Sequence, residues 1–254
     1  MLNILYEDNE IIVCVKEAGI SSQAERSLSP DMPSLLMNYL KNIDHNSTKN
    51  VNNSTSKAPY VGVIHRLDKP VCGIMVYGKT KAATASLTKQ LQAHEFSKSY
   101  KAVICSKKPL NICDSYEVLR DFLIRDGKTN TSSVCKEDTV DGKEAVLEYR
   151  AEKCVPFTEL STHGQLKRFA PGLDESIQYL STVDIHLITG RHHQIRVQFA
   201  PRDMFLWGDT RYGSQNFRQT TVALCAYKLS FTHPTTKKEL CFSITPDNSI
   251  FKYM

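Results

Sequence analysis

Four polar clusters in this sequence carry residue types that bond-making chemistry needs. His65-Arg66-Leu67-Asp68 sets a carboxylate between two apolar runs, Val61, Val63 and Ile64 before it and Ile74 to Tyr77 after it, with Pro70 and Gly73 marking the turn. A charged group held between buried strands is costly unless it is paired or reaches solvent. That is the situation of an active-site loop on a rigid scaffold, and also of a plain salt-bridged turn. Lys98-Ser99-Tyr100-Lys101 puts a phenol on a strand, as a catalyst or as a core tyrosine. Gly190-Arg191-His192-His193-Gln194-Ile195-Arg196 leads basic groups into a helix, and Gly208-Asp209-Thr210-Arg211-Tyr212-Gly213 is a loop bounded by glycines. His192 and Arg196 are four apart and would share a helix face, where Arg196 could equally be a structural ion-pair partner. Two adjacent histidines invite a metal reading. On a helix they would point in different directions, and no H-E-x-x-H spacing supports them, so no metal is expected. The chain has no P-loop, no G-x-G-x-x-G and no G-x-S-x-G elbow, which removes nucleotide cofactors and serine hydrolysis from the expected chemistry.

The elements that must position these clusters follow from hydrophobic periodicity. Leu2 to Tyr6 and Ile11 to Val15 predict two short strands joined by Glu7 to Glu10. Leu35, Leu36, Leu40 and Ile43 predict a helix over Pro33 to Ile43. Residues 44–58 are rich in Asn, Ser, Thr and Lys and read as a surface insertion. Thr80 is placed to cap a helix running to about His94, with Ala83, Leu87 and Leu91 on one face. Ser97 to Cys105 alternates, so Tyr100, Ala102 and Ile104 share one side of a strand. Lys128 to Asp141 reads as a loop or edge hairpin. Ala145 to Tyr149 and Val183 to Leu187 alternate again, and Thr189-Gly190 ends the latter strand. Arg191 to Ala200 predicts a short helix stopped by Pro201, and Val222 to Phe231 and Leu240 to Ile244 close the chain as strands. Strands follow strands more often than they alternate with helices. The expected fold class is therefore α+β, with a mixed, largely antiparallel central sheet flanked by helices and loops.

The 254 residues are 41% hydrophobic and 23% charged, an ordinary globular composition that can bury a core without staples. A net charge of +5 permits a nucleic-acid partner without demanding one. Eight cysteines include no C-x-x-C pair, and Cys14, Cys105 and Cys241 lie in strand-like runs where a thiol acts as a small hydrophobe. Without a signal peptide they point to a reducing compartment, and no apolar run approaches a membrane span.

Taken in order, the clusters change in meaning. The sequence resembles the RluA family of RNA pseudouridine synthases. Ile4 to Asp8 with Ile11 to Gly19 looks like that family's opening strand pair, and His65-Arg66-Leu67-Asp68 through Gly73 like its signature around a catalytic aspartate. Lys98-Ser99-Tyr100-Lys101-Ala102 is similar to its tyrosine motif, and the Gly190 and Gly208 clusters to its third and fourth motifs. Two departures stand out. Val71-Cys72 replace the usual Thr-Ser, and Val15-Lys16-Glu17-Ala18-Gly19 replaces Asn-Lys-Pro-Ala-Gly. The resemblance implies isomerisation of uridine in ribosomal or transfer RNA: the N1–C1′ bond breaks, the uracil turns, and C5 joins C1′, with no cofactor and no metal. It implies that Asp68, Tyr100 and Arg196 are catalytic, Arg196 keeping Asp68 charged and aimed, Tyr100 offering a ring to the uracil and a phenol to the C5 proton. Arg66 would enter the gap left by an everted uridine, and His65, Arg191, His192, Gln194 and Ile195 would line the substrate site. The alternative is a catalytically inactive RNA-binding protein on the same fold. The expected organisation is one catalytic domain over 1–254 without the N-terminal S4 domain of many relatives, a cytoplasmic monomer with RNA as partner and no membrane association.

Overall fold

The structure, a computed structural model, describes residues 2–24, 29–47, 58–161, 177–213, 221–247 and 249–254. Its contacts gather into two compact units, one of Met1–Phe96 with Leu229–Ser243, the other of Ser97–Lys228 with Ile244–Met254.

In the first unit, β1 (Asn3–Glu7) and β2 (Ile11–Lys16) form an antiparallel hairpin. Asp8 fixes its turn by accepting the N–H groups of Glu10 and Ile11, each at 2.8 Å. Helix α1 (Met32–Ser47) starts at Asp31, whose carboxylate accepts the Ser34 N–H at 2.8 Å and its hydroxyl at 3.0 Å, the usual way an acidic residue satisfies the open first turn. β3 (Gly62–Val63) and β2 both pair antiparallel with β4 (Cys72–Gly78). Every residue of β2 and β4 is buried, so β4 is a continuous apolar run, the mark of a strand covered on both faces. Helix α2 (Lys81–Gln92) begins at Thr80, whose hydroxyl accepts the Ala83 N–H at 3.1 Å as the sequence led us to expect, and it buries Ala83 and Leu87.

The second unit contains β5 (Ser97–Ser106), β6 (Glu117–Asp126), β7 (Thr131–Cys135), β8 (Lys143–Pro156), the short helix α3 (Phe157–Ser161), β9 (Tyr179–Leu187), helix α4 (Gln194–Phe199) and β10 (Met204–Leu206). Its strands run antiparallel in the order β10-β5-β9-β8-β6-β7. The register sets Tyr100 opposite Ile185 and Lys101 opposite Asp184, so phenol and ammonium leave β5 on opposite faces. On the Lys101 face, buried Asp184 takes the phenols of Tyr116 and Tyr227 at 2.7 and 3.0 Å, with Lys101 and Arg150 nearby and Lys101 also paired to Glu152. On the other face every residue of α4 is buried. Val197 packs with Leu123 and Ala145, and Phe199 meets the Tyr149 ring edge-on at 5.1 Å. The chain then leaves along β11 (Leu224–Thr232), which begins in the second unit and ends in the first, and β12 (Glu239–Ser243) pairs with it. In the first unit Phe231 stacks on Phe96 at 5.3 Å.

This is an α+β fold whose sheet is mixed and mostly antiparallel, with two isolated parallel bridges, Ser21 to Asp31 and Ile112 to Ala151. Several expectations need correction. β6 was not foreseen, because Leu119 and Leu123 are its only buried residues and charges interrupt the alternation. It is the partner of β7, so the hairpin expected inside Lys128 to Asp141 instead spans Glu117 to Cys135, with only its second strand in that stretch. Helix α1 runs on to Ser47, into the expected insertion at 44–58, of which 48–57 lie outside the described residues. Helix α4 starts at Gln194, not Arg191, because His193 holds a left-handed backbone (φ 54°) that no right-handed helix accommodates. Pro201 does not stop it; it sits inside a 3₁₀ turn, Ala200–Arg202, that extends it. Cys241 is exposed, whereas Cys14 and Cys105 are buried; all eight cysteines are free.

Candidate active site

Asp68 lies on the loop between β3 and β4, half-buried, one turn before β4 begins. The peptides on either side of it are fixed by the segment that follows β2. The Ser22 hydroxyl accepts the Leu67 N–H at 3.0 Å and donates to the Leu67 carbonyl at 2.6 Å. The Lys69 carbonyl accepts the Gly19 N–H at 2.7 Å and the Lys16 ammonium at 3.2 Å. Val71 N–H closes the turn on the Asp68 carbonyl at 3.0 Å. Gly19 has φ +90°, a backbone that favours glycine, and that conformation presents its N–H to Lys69.

Lys16 has no exposed surface. Its ammonium donates to the carbonyls of Glu17 at 3.0 Å, Ile20 at 2.9 Å and Lys69. Burial lowers its pKa to about 8, against an opposing electrostatic pull from Cys72, Asp68 and Glu17. His65 is tied into the scaffold. Its Nε2 accepts the Val76 N–H at 3.1 Å, and its ring meets the edge of Phe96 at 6.2 Å. Arg66 is exposed and donates to the neutral Gln23 side chain at 3.2 Å.

The other three clusters fall in the second unit and converge there. Tyr100 is buried on β5. Lys98 of the same strand runs past Gly190, where a Cβ would sit 3.5 Å from Nζ, and burial lowers the pKa of that amine. Arg196, 5% exposed, gives Nε and Nη2 to the two oxygens of Asp209, each at 2.8 Å. Asp209 also accepts the N–H groups of Arg211 and Tyr212, and the Tyr212 ring lies 5.1 Å from the Arg196 guanidinium. The third and fourth clusters are thus one structure, a guanidinium fixed by a two-point carboxylate bond and an aromatic face. Sequence reasoning assigned Asp209 no role. Its place in a glycine-bounded loop carrying charge was the available signal.

Gln194 is saturated. Its oxygen accepts the Thr189 hydroxyl and the Arg191 N–H, each at 2.8 Å, and its nitrogen donates to Val146 and Gln198 at 3.1 and 2.9 Å. An amide has two acceptor and two donor positions, so all four are filled from within the chain. Arg191 is exposed, with Nε on the Glu144 carbonyl at 2.7 Å, and Ile195 is buried. His192 and Arg196 do not share a helix face, because His192 precedes α4. Nor do the two histidine rings diverge: the left-handed turn at His193 stacks them at 3.7 Å, with His192 Nδ1 on Ser132 Oγ at 2.9 Å and His193 Nδ1 on the Tyr212 hydroxyl at 2.7 Å. Among the described residues, no group of three or more His, Cys, Asp or Glu is placed to hold a metal.

Comparison with known proteins places the chain in a family. The family model described as RNA pseudouridylate synthase matches residues 10–201. The chain is 27% identical over 269 residues to ribosomal large subunit pseudouridine synthase D of Vibrio cholerae, covering 98% of this chain and 69% of that protein. It is 29% identical to the protein of the same name from Neisseria meningitidis, covering 98% and 59%. It is 30% identical to an uncharacterised RNA pseudouridine synthase of Aquifex aeolicus, covering 96% and 69%. The solved structure of human RNA pseudouridylate synthase domain containing 1 shares the fold, with a TM-score of 0.66 at 17% identity over 98% of this chain and 85% of that one. The chain therefore belongs to the RNA pseudouridylate synthase family, whose reaction is the isomerisation of uridine to pseudouridine in RNA. Among the described residues, no helix is long and apolar enough to cross a membrane.

Proposed function

We propose that Asp68 is the carboxylate that attacks or deprotonates the target uridine, with Tyr100 and Arg196 completing the catalytic set. The substrate is structured RNA, and ribosomal RNA is favoured by the names of the Vibrio and Neisseria relatives. The observation that carries this reading is the mounting of Asp68. Its side chain is half-buried, and the peptides before and after it are pinned by Ser22, Gly19 and Lys16. A nucleophile or base works when its geometry is set before the substrate arrives. Arg196, rigid between Asp209 and Tyr212, is mounted in the same manner.

Arg66, exposed on the Asp68 loop, is the side chain we assign to the gap left by the everted uridine. Arg191, His192 and Ile195 stay with the substrate side of the third motif. His65, whose Nε2 accepts the Val76 N–H, and Gln194, which holds the Thr189–Arg191 turn, line the substrate site as residues that shape its loops. The protein acts as one catalytic domain, a cytoplasmic monomer requiring no cofactor.

The test is release of tritium from C5-labelled uridine in ribosomal and transfer RNA. Wild type releases it. Asp68→Asn, nearly isosteric but uncharged, releases only background while its unfolding midpoint stays near that of the wild type. Turnover in a clean Asp68→Asn preparation removes the assignment. RNA binding with no release by either protein leaves a binding module.

A further inference from the structure

The bonds around Asp68 are not those of the sheet. Residues 17–22 and 64–71 are both connections, and they hold each other through side chains and turn peptides. Ser22 is the centre of this contact. It is 3% exposed, and its single hydroxyl serves both the N–H and the carbonyl of Leu67, a residue that is itself buried. The Ser22 carbonyl accepts the phenol of Tyr77 at 3.2 Å, and Tyr77 belongs to the fully buried β4. A chain of contacts therefore runs from the rigid strand through Ser22 to the peptide just before Asp68.

Accepting the assignment of Asp68 made above, we propose that Ser22 is a positioning residue for the isomerisation, its hydroxyl setting the direction from which the Asp68 carboxylate meets the uridine. Without that hydroxyl, the Leu67 N–H and carbonyl are left buried and unpaired. The loop relieves this by shifting toward water, and Asp68 moves with it. The Lys69 side of the loop stays held by Gly19 and Lys16, so the shift is a tilt and not an unfolding. RNA binding spreads over many contacts, whereas the chemical step depends on one carboxylate. A tilt is felt in the transition state and not in the ground-state complex.

The test compares single-turnover rate with RNA dissociation constant for Ser22→Ala, Ser22→Thr, Tyr77→Phe and Asp68→Asn. Ser22→Ala slows the rate about 10-fold or more, since a displacement of about 1 Å can cost 10²-fold. Its RNA affinity stays within about twofold. Ser22→Thr, which keeps the hydroxyl, recovers most of the rate. Tyr77→Phe keeps the hydroxyl but loosens its anchor, and falls between; it carries the test if Ser22→Ala does not fold. Wild-type rate in Ser22→Ala, a parallel loss of rate and affinity, or Ser22→Thr as slow as Ser22→Ala overturns the proposal. The Asp68→Asn arm separates the two claims: a dead Asp68→Asn beside an unimpaired Ser22→Ala removes the role of Ser22 alone, and an active Asp68→Asn removes both.

Discussion

Lys16 keeps an ammonium inside the first unit with no exposed surface, and three carbonyls are what make that tolerable. Its folded pKa is lowered to about 8 from an ordinary 10.5. Between those values the unfolded chain holds a proton that the folded chain has released. Stability therefore rises with pH through that window, and the cost of burial is felt in full below it. From pH 7.5 to 10 the unfolding free energy of the wild type should gain about 2 kcal/mol relative to Lys16→Met. The variant is less stable at every pH, because three carbonyls lose their donor, but its curve lacks this rise. Tyrosines whose pKa is raised by burial act on both proteins and cancel in the difference. Urea unfolding at three pH values measures it, and parallel curves would show that Lys16 stays charged throughout. The same residue marks the boundary of what the sequence discloses. Asp68, Tyr100 and Arg196 stand out because their types and order form motifs. Lys16, Ser22 and Asp209 act by reaching backbone or side-chain partners across the fold, 45 residues away for Ser22 and 53 for the Lys16–Lys69 contact, and no local pattern records such a bond.

Strands that alternate, such as β5 and β9, and helices with a cap and an apolar face, such as α2, are visible from the order of residues along the chain. β6 and the start of α4 are hidden for opposite reasons: one strand has too few buried residues to show its period, and one helix is delayed by a single left-handed residue. The seat of α2 against β4 is hidden as well, since it depends on what is missing from two glycines. A Cβ on Gly62 or Gly78 would lie 2.1 or 2.2 Å from Thr84 Oγ1, and the one on Gly78 also 2.9 Å from the Thr84 backbone nitrogen. A side chain can rotate away, but the backbone of a capped helix cannot without lifting α2 from β4. Gly78→Ala should therefore destabilise the protein by about 1–3 kcal/mol, the range for overpacking a close contact. Adding Thr84→Ala should recover only part of it, because the backbone clash persists. Denaturant midpoints of the single and double variants check this; full recovery would show that the hydroxyl alone sets the spacing.

A net charge of +5, from 32 basic and 27 acidic side chains, is a small excess for a protein that binds a polyanion. Among the described residues, part of the positive charge is already answered within the chain. Lys79 pairs with Glu7 at 2.6 Å, Lys101 with Glu152, Arg196 with Asp209 and Arg202 with Asp121. A cation held by a carboxylate displaces fewer counterions from RNA than one whose partner is neutral, so these paired residues contribute less to binding. If three or four phosphates are neutralised, affinity should weaken on the order of 10²-fold between 50 and 200 mM salt. Arg66 is the side chain on which this argument turns, because it is exposed, beside Asp68, and bonded to the uncharged Gln23. Arg66→Ala should reduce the slope of log affinity against log salt by about 1. Lys79→Ala should leave the slope unchanged, because the ammonium it removes is bound to Glu7. Dissociation constants at four salt concentrations give both slopes. Equal reductions in the two variants would show that an ion pair does not withhold a cation from RNA. A guanidinium seated in the gap left by the everted uridine still lies among the flanking phosphates, so an unchanged slope in Arg66→Ala would show that Arg66 displaces no counterion there.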